Sequence, residues 1–225
     1  QAGIINALLE IHPKSLSEKD KDGNLPLHSA IETRTSLPAS LISTMVQLYG
    51  DATKVKDMDG QLPLHSCFAS CTGKKLLAYA SVLLDADPAS ALVASPRQGI
   101  LLHHVCRQKR IVLPLVQKLC NDPRAALQKD NQGNLPIHVV LERRDLSPVP
   151  KDVMLALIRV NPASMREKDN DGNLPLHSGL ERGDAVTKDV IKAMLDAYPG
   201  AAVVTDRGAF SKSCAVVLSW LKVET

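Results

Sequence analysis

Residues 168–178 read Lys168-Asp169-Asn170-Asp171-Gly172-Asn173-Leu174-Pro175-Leu176-His177-Ser178. The string returns along the chain with few changes: KDKDGNLPLHS at 19–29, KDMDGQLPLHS at 56–66 and KDNQGNLPIHV at 129–139. A weaker copy, SPRQGILLHHV, spans 95–105, and a weaker one still, TDRGAFSKSC, spans 205–214. The shared glycines, Gly23, Gly60, Gly99, Gly133, Gly172 and Gly208, are separated by 37, 39, 34, 39 and 36 residues. A period of this size marks a repeat array, in which each unit buries itself only against its neighbours.

Every copy supports one local reading. The Asp-x-Asp-Gly segment forms a turn, because Asp side chains bond nearby amides and Gly tolerates positive φ. Pro26, Pro63, Pro136 and Pro175 suit the first turn of a helix, where the missing amide costs nothing. The first helix is short, 26–33 in the first copy, and a variable connector follows. A second, more apolar helix is expected at 39–49, 74–85, 111–120, 151–160 and 188–198. Gly50, Pro88, Pro123, Pro162 and Pro199 break these helices, and an extended segment leads to the next turn. At the start, Ile4, Ile5, Leu8, Leu9 and Ile11 mark one helical face that His12-Pro13 ends. The expected fold is all-α, a helix-turn-helix repeat solenoid of five Gly-to-Gly intervals flanked by partial repeats. The whole of 1–225 is one array: a half-repeat 1–18, repeats at about 19–55, 56–94, 95–128, 129–167 and 168–204, and a partial repeat 205–225.

The order turn, Gly, Pro-Leu-His, short helix, longer helix resembles the ankyrin repeat. The signature of that family is Thr-Pro-Leu-His; here three copies carry Leu-Pro-Leu-His and one Leu-Pro-Ile-His. Leu25, Leu62, Leu135 and Leu174 replace the threonine, so its hydroxyl-to-imidazole bond is lost. Counted from Gly99, Leu102 takes the proline position, His103 the leucine position and His104 the histidine position. The structural motif is thus Gly23, Pro26, His28, Gly60, Pro63, His65, Gly99, His104, Gly133, Pro136, His138, Gly172, Pro175 and His177. After Gly208 comes Ser211-Lys212-Ser213, with no histidine.

Composition narrows the function. Aromatic residues make up only 3% and net charge is +3, which argues against a base-stacking nucleic-acid surface and implies no membrane partner. No apolar run approaches ~18 residues, so no membrane insertion is expected. Five cysteines with no framework spacing read as reduced thiols of an intracellular, cytoplasmic protein. Gln1 inside a helical pattern and the incomplete last repeat favour a longer parent chain; the protein is otherwise expected to be monomeric.

Several motifs invite chemistry and fail its requirements. One histidine per repeat, roughly 10 Å from the next in stacked helices, does not bring several ligands within ~2 Å of one point as zinc needs. Read as a calcium loop, the turn puts Ser29, Ser66, Val139 and Ser178 where a bidentate glutamate is required. Cys67 and Cys106 fall at the small-residue position of Ala30, while Cys71 lies off the core and is the better reactive thiol. No phosphate loop, nucleophile elbow or His-Glu-x-x-His is present. No catalytic residue, cofactor, metal or small-molecule substrate is expected.

The resemblance implies a protein-protein interaction module that binds an unidentified protein partner on the concave face. The positions that vary between copies are the turn tips and the two residues beginning four after the histidine. They nominate Lys21, Asn24, Thr33, Met58, Gln61, Ser70, Arg97, Gln108, Lys109, Asn131, Asn134, Arg143, Asn170, Asn173 and Arg182. Arg97 and Arg143 are the only obvious anchors, and Arg107, Lys109, Arg110, Arg143 and Arg144 form a basic strip. The alternative is an architectural or regulatory arm of a larger protein with no ligand of its own.

Overall fold

A computed structural model of the chain describes residues 11–33, 35, 37–95, 99–108, 110–145 and 148–202. The expected helix over 1–12 falls almost wholly outside them, as do Gly208, Cys214 and the partial repeat 205–225.

The described residues are all-α, in two compact units divided after Arg97. The first unit holds α1 (Pro26–Glu32), α2 (Ala39–Leu48), α3 (Pro63–Ser70) and α4 (Gly73–Ala86). Here α1 packs on α3 and α2 on α4, so first helices form one layer and second helices the other. The second unit holds α5 (Leu101–Arg107), α6 (Leu113–Leu119), α7 (Pro136–Glu142), α8 (Lys151–Val160), α9 (Pro175–Glu181) and α10 (Lys188–Ala197). It repeats the scheme: α5 on α7 on α9, and α6 on α8 on α10.

Burial follows the repeat. Leu25, Leu27 and Ile31 are inside, as are their counterparts Leu62, Leu64 and Phe68. In α8, Val153, Met154, Leu157 and Ile158 are buried, spaced on one helical face. A single aromatic secures the connector of the first unit: Tyr79 is 1% exposed and its hydroxyl donates to the Leu37 carbonyl at 2.6 Å. Tyr79→Phe keeps the packing and orphans that carbonyl. We expect a loss of about 1 kcal/mol, read as a lower denaturant midpoint.

One expectation is incomplete. Extended residues do lead to the next turn, at Val55, Val93, Gln128 and Glu167, but the breakers do not open them directly. Gly50, Pro88, Pro123, Pro162 and Pro199 each begin a single 3-10 turn, at Gly50–Lys54, Pro88–Leu92, Pro123–Leu127, Pro162–Arg166 and Pro199–Ala202. Pro13–Ser17 is another. Small residues two and three beyond the breaker, such as Ser90 and Ala91 or Ala125 and Ala126, are buried there. A tight turn lets these small side chains reach the core while proline supplies the fixed φ.

Candidate functional site

Four of the turns are each built on one carboxylate. Asp20 Oδ1 accepts the amides of Asp22 and Asn24, both at 2.9 Å, and its own amide donates to the Asn24 carbonyl at 2.9 Å. Asp57, Asp130 and Asp169 repeat the pattern with Gln61, Asn134 and Asn173. The glycine closes the turn at positive φ, 75° at Gly23 and 86° at Gly172. The carboxylates are therefore engaged with backbone amides. Among the described residues no group of three or more His, Cys, Asp or Glu is placed to hold a metal.

Proline stands at the first helical position of α1, α3, α7 and α9, and histidine at the third. Leucine at the cap has no side-chain acceptor, so the imidazole does the capping alone. His28, His65, His138 and His177 Nδ1 accept the cap amides of Leu25, Leu62, Leu135 and Leu174 at 3.2, 3.1, 3.3 and 3.1 Å. Nδ1 as acceptor leaves the proton on Nε2. In His65 that nitrogen donates to the Val93 carbonyl at 3.1 Å. In His28 and His138 Nε2 has no partner at hydrogen-bonding geometry, although the backbones of Gln61 and Asn173 act on the rings. Burial is the main cause that lowers all the resolved histidine pKa values, and it takes His138 down to about 4.

The copy at 95–105 is one residue shorter after its glycine than the others. Ile100 caps α5 and is 2% exposed, as Leu25 is in the first copy, and Leu101 takes the proline position. The repeat histidine is therefore His103 and not His104. His103 is fully buried and its Nε2 donates to the Asn134 carbonyl at 3.0 Å. His104 is only partly covered and pairs with the Gln108 amide at 2.7 Å. The physical reason is the apolar cap. A buried residue must precede the helix, and Ile100 meets that need one step early. The shift moves Val105, not Cys106, to the position of Ala30, and Arg107 to the position of Glu32. Arg107 pairs with Asp130, whose side chain is 1% exposed.

The nominated binding residues separate into two groups. Lys21, Met58, Ser70, Gln108, Asn131 and Asn170 are exposed, with Met58 at 76%. Asn24, Thr33, Gln61, Asn173 and Arg182 are partly covered. Arg97 and Lys109 lie outside the described residues. Asn134 is buried and its amide donates to Glu142 Oε2 at 3.0 Å, so it belongs to the framework. Asn170 crosses to the preceding turn, donating to the Gln132 carbonyl at 2.6 Å.

Arg143 is also corrected. Its side chain is only 13% exposed, and its guanidinium donates to the carbonyls of Cys106 (3.0 Å) and Gln108 and pairs with Asp145. It ties the end of α5 to the next repeat and is not an open anchor. Arg143→Ala should lower the stability of this unit by about 1–2 kcal/mol, seen in denaturant unfolding, because it leaves those carbonyls short of a donor.

Another tie escaped the sequence reading. Lys19 Nζ donates to the Lys56 carbonyl at 3.1 Å and Lys129 Nζ to the Lys168 carbonyl at 2.8 Å. The signal was available, since lysine precedes the turn aspartate in four copies. Cys71 is 3% exposed, which places it in the core rather than off it.

No protein-family model matches the chain, and no curated protein matches it. Solved structures do. An ankyrin repeat domain from Acinetobacter baumannii aligns with a TM-score of 0.64 at 17% identity, over 87% of this chain and 94% of that one. A second ankyrin repeat protein gives 0.64 at 16% identity, over 88% and 92%. A chain from the complex of a predatory endopeptidase of Bdellovibrio bacteriovorus with an immunity protein gives 0.59 at 15% identity, over 85% and 90%. At these identities the likeness is one of fold.

Proposed function

We propose that this chain, which has the ankyrin-repeat fold, is a non-catalytic protein-interaction module. Its partner would dock on the turn tips and first-helix ends, the concave side of a repeat stack. The reading of 1–225 as a single array is part of the same proposal.

One observation carries it. Framework positions repeat from copy to copy, whereas Lys21, Met58 and Asn131 at the tips and Ser70 and Gln108 at the helix ends are exposed and change between copies, asparagine alone recurring at the tip as Asn170. Stability does not require that variety, because none of these five side chains fills the core. A repeat stack leaves such positions as an extended surface for recognition. Among the described residues Met58 offers the one large exposed apolar contact at a tip, and adaptable methionine suits binding surfaces. The matched chain drawn from a complex between an endopeptidase and an immunity protein accords with a protein-binding use of the fold.

The test is capture from an extract of the native source with wild-type chain and a variant carrying Lys21→Glu, Met58→Glu, Gln108→Glu and Asn131→Glu. The variant should keep its helical circular dichroism and lose the captured protein. A folded variant that captures the same protein overturns the assignment of this face.

A further inference from the structure

Cys67 and Cys71 form a thiol pair that the binding function does not use. Cys67 lies inside α3 and Cys71 caps its end, its amide donating to the Cys67 carbonyl at 2.9 Å. One helical turn separates them, a rise of about 6 Å, within the Cα separation that a disulfide spans. Cβ atoms four apart on a helix lie about 5–6 Å apart, so closing the bond requires Cys71, the extended cap residue, to move inward. Both are buried and both are reduced. Cys71 Sγ lies 3.7 Å from the Ile31 carbonyl, and Lys75 Nζ lies 3.4 Å from that same oxygen. Thiol and ammonium thus converge on one point. Lys75 is fixed there by the Thr33 carbonyl at 3.0 Å and by the ring of Tyr79, 5.3 Å from its centroid.

This arrangement divides the roles of the two sulfurs. A hydrogen bond from Cys67 and the charge of Lys75 hold the Cys71 thiol down to about 7, and the same bond with burial pushes Cys67 up. Cys71 is the more acidic sulfur of the two, and each thiol also faces a backbone carbonyl, Cys71 that of Ile31 and Cys67 that of Leu76 at 4.0 Å. Burial raises both Cys106 and Cys120, and at Cys106 it outweighs the opposing charges of Arg107 and Arg143. Nucleophilicity resides in the thiolate. Ser70, Thr72 and Gly73, the sequence neighbours of Cys71, are exposed, so Cys71 lies directly beneath the surface of the turn.

We infer that Cys67 and Cys71 are a peroxide-oxidisable dithiol, with Cys71 as the attacking sulfur and Cys67 as the resolving one. The Cys71 thiolate attacks one oxygen of hydrogen peroxide. The O–O bond breaks, hydroxide leaves and takes a proton to become water, and Cys71 becomes a sulfenic acid. Cys67 sulfur then attacks Cys71 sulfur, the S–O bond breaks, and hydroxide departs with the Cys67 proton as a second water. Two thiols are oxidised to one disulfide while one peroxide is reduced to two waters. Closing the bond draws Cys71 away from the Ile31 carbonyl at the end of α1, so oxidation acts on the packing of the first unit.

The experiment treats the reduced full chain with stoichiometric hydrogen peroxide near neutral pH, alkylates the remaining thiols after denaturation and maps the peptides. The expected result is a Cys67–Cys71 linked peptide, restored by dithiothreitol, with Cys106 and Cys120 still alkylated. Cys67→Ala, which places at this position the residue that the first copy carries as Ala30, should stop the reaction at a Cys71 sulfenic acid trapped by dimedone, formed more slowly because the hydrogen bond from Cys67 is lost. Lys75→Met should slow linkage several-fold. Linkage of Cys71 to Cys214, equal oxidation of all thiols, or no linkage under conditions that oxidise glutathione overturns the inference; the wild-type map decides this even if a variant fails to fold.

Discussion

Acidification from pH 7 to pH 5 should cost the second unit about 2 kcal/mol through His138 alone. The sign follows from burial. His138 is lowered from 6.5 to about 4 in the folded chain, so the unfolded chain binds a proton more readily. Its stabilising contribution is complete above the unfolded value of 6.5. It is lost progressively as pH falls from there through the folded value near 4. Protonation also converts Nδ1 from acceptor to donor, which opposes the Leu135 amide that it caps at 3.3 Å. His28, His65 and His103 are shifted in the same direction by burial and add to the loss. His138→Gln separates titration from capping, because glutamine at the third helical position also reaches back to the cap amide. Denaturant unfolding at both pH values should show the wild-type difference shrinking by about 2 kcal/mol in the variant. An unchanged difference would mean that His138 titrates normally in the folded chain.

Gly99→Ala should destabilise the second unit by about 3 kcal/mol, adding a left-handed strain of about 1–2 to a steric clash of similar size. The residue has φ +76°, and an added Cβ meets Asp130 Cβ at 3.0 Å, His103 Nδ1 at 3.1 Å and Asp130 Cα at 3.3 Å. Two of these atoms belong to a buried, hydrogen-bonded aspartate that has little room to move. Gly172→Ala is the matched control. It has φ +86° and nothing within 4 Å of the new Cβ, so only the conformational cost of about 1–2 kcal/mol remains. Equal losses in the two variants would show that crowding by Asp130 and His103 is not felt.

The repeat made most of the fold legible. Proline and histidine fixed the start of four first helices, and apolar runs located the second helices to within a few residues. The reading failed at the copy lacking proline, because counting from Gly99 assumed a constant turn length. An apolar residue in place of Asn24 was the available clue, since Ile100 satisfies the buried cap directly after the glycine. The 3-10 turns were hidden because proline was read as an end rather than a beginning.

The candidate surface was less legible for a different reason. Variation between copies does not distinguish an open side chain from one engaged with a neighbouring repeat. Asn170 and Arg143 lie at positions that differ among copies and Asn134 at one shared with Asn24 and Asn173, yet all three bond to protein partners. For Arg143 and Asn170 the pairing spans 35–38 positions; it depends on how the helices stack, and no local spacing encodes it.

The interaction reading is tested most directly by site-specific photocrosslinking in an extract of the native source. A photoreactive residue would replace Met58 or Gln108 on the turn-tip side, and Gln47 or Lys192, exposed on the second helices, as controls. The expected result is an adduct with one protein from Met58 and Gln108 and none from Gln47 or Lys192. Adducts formed only from the second helices, or none from any position, would contradict the proposed binding face.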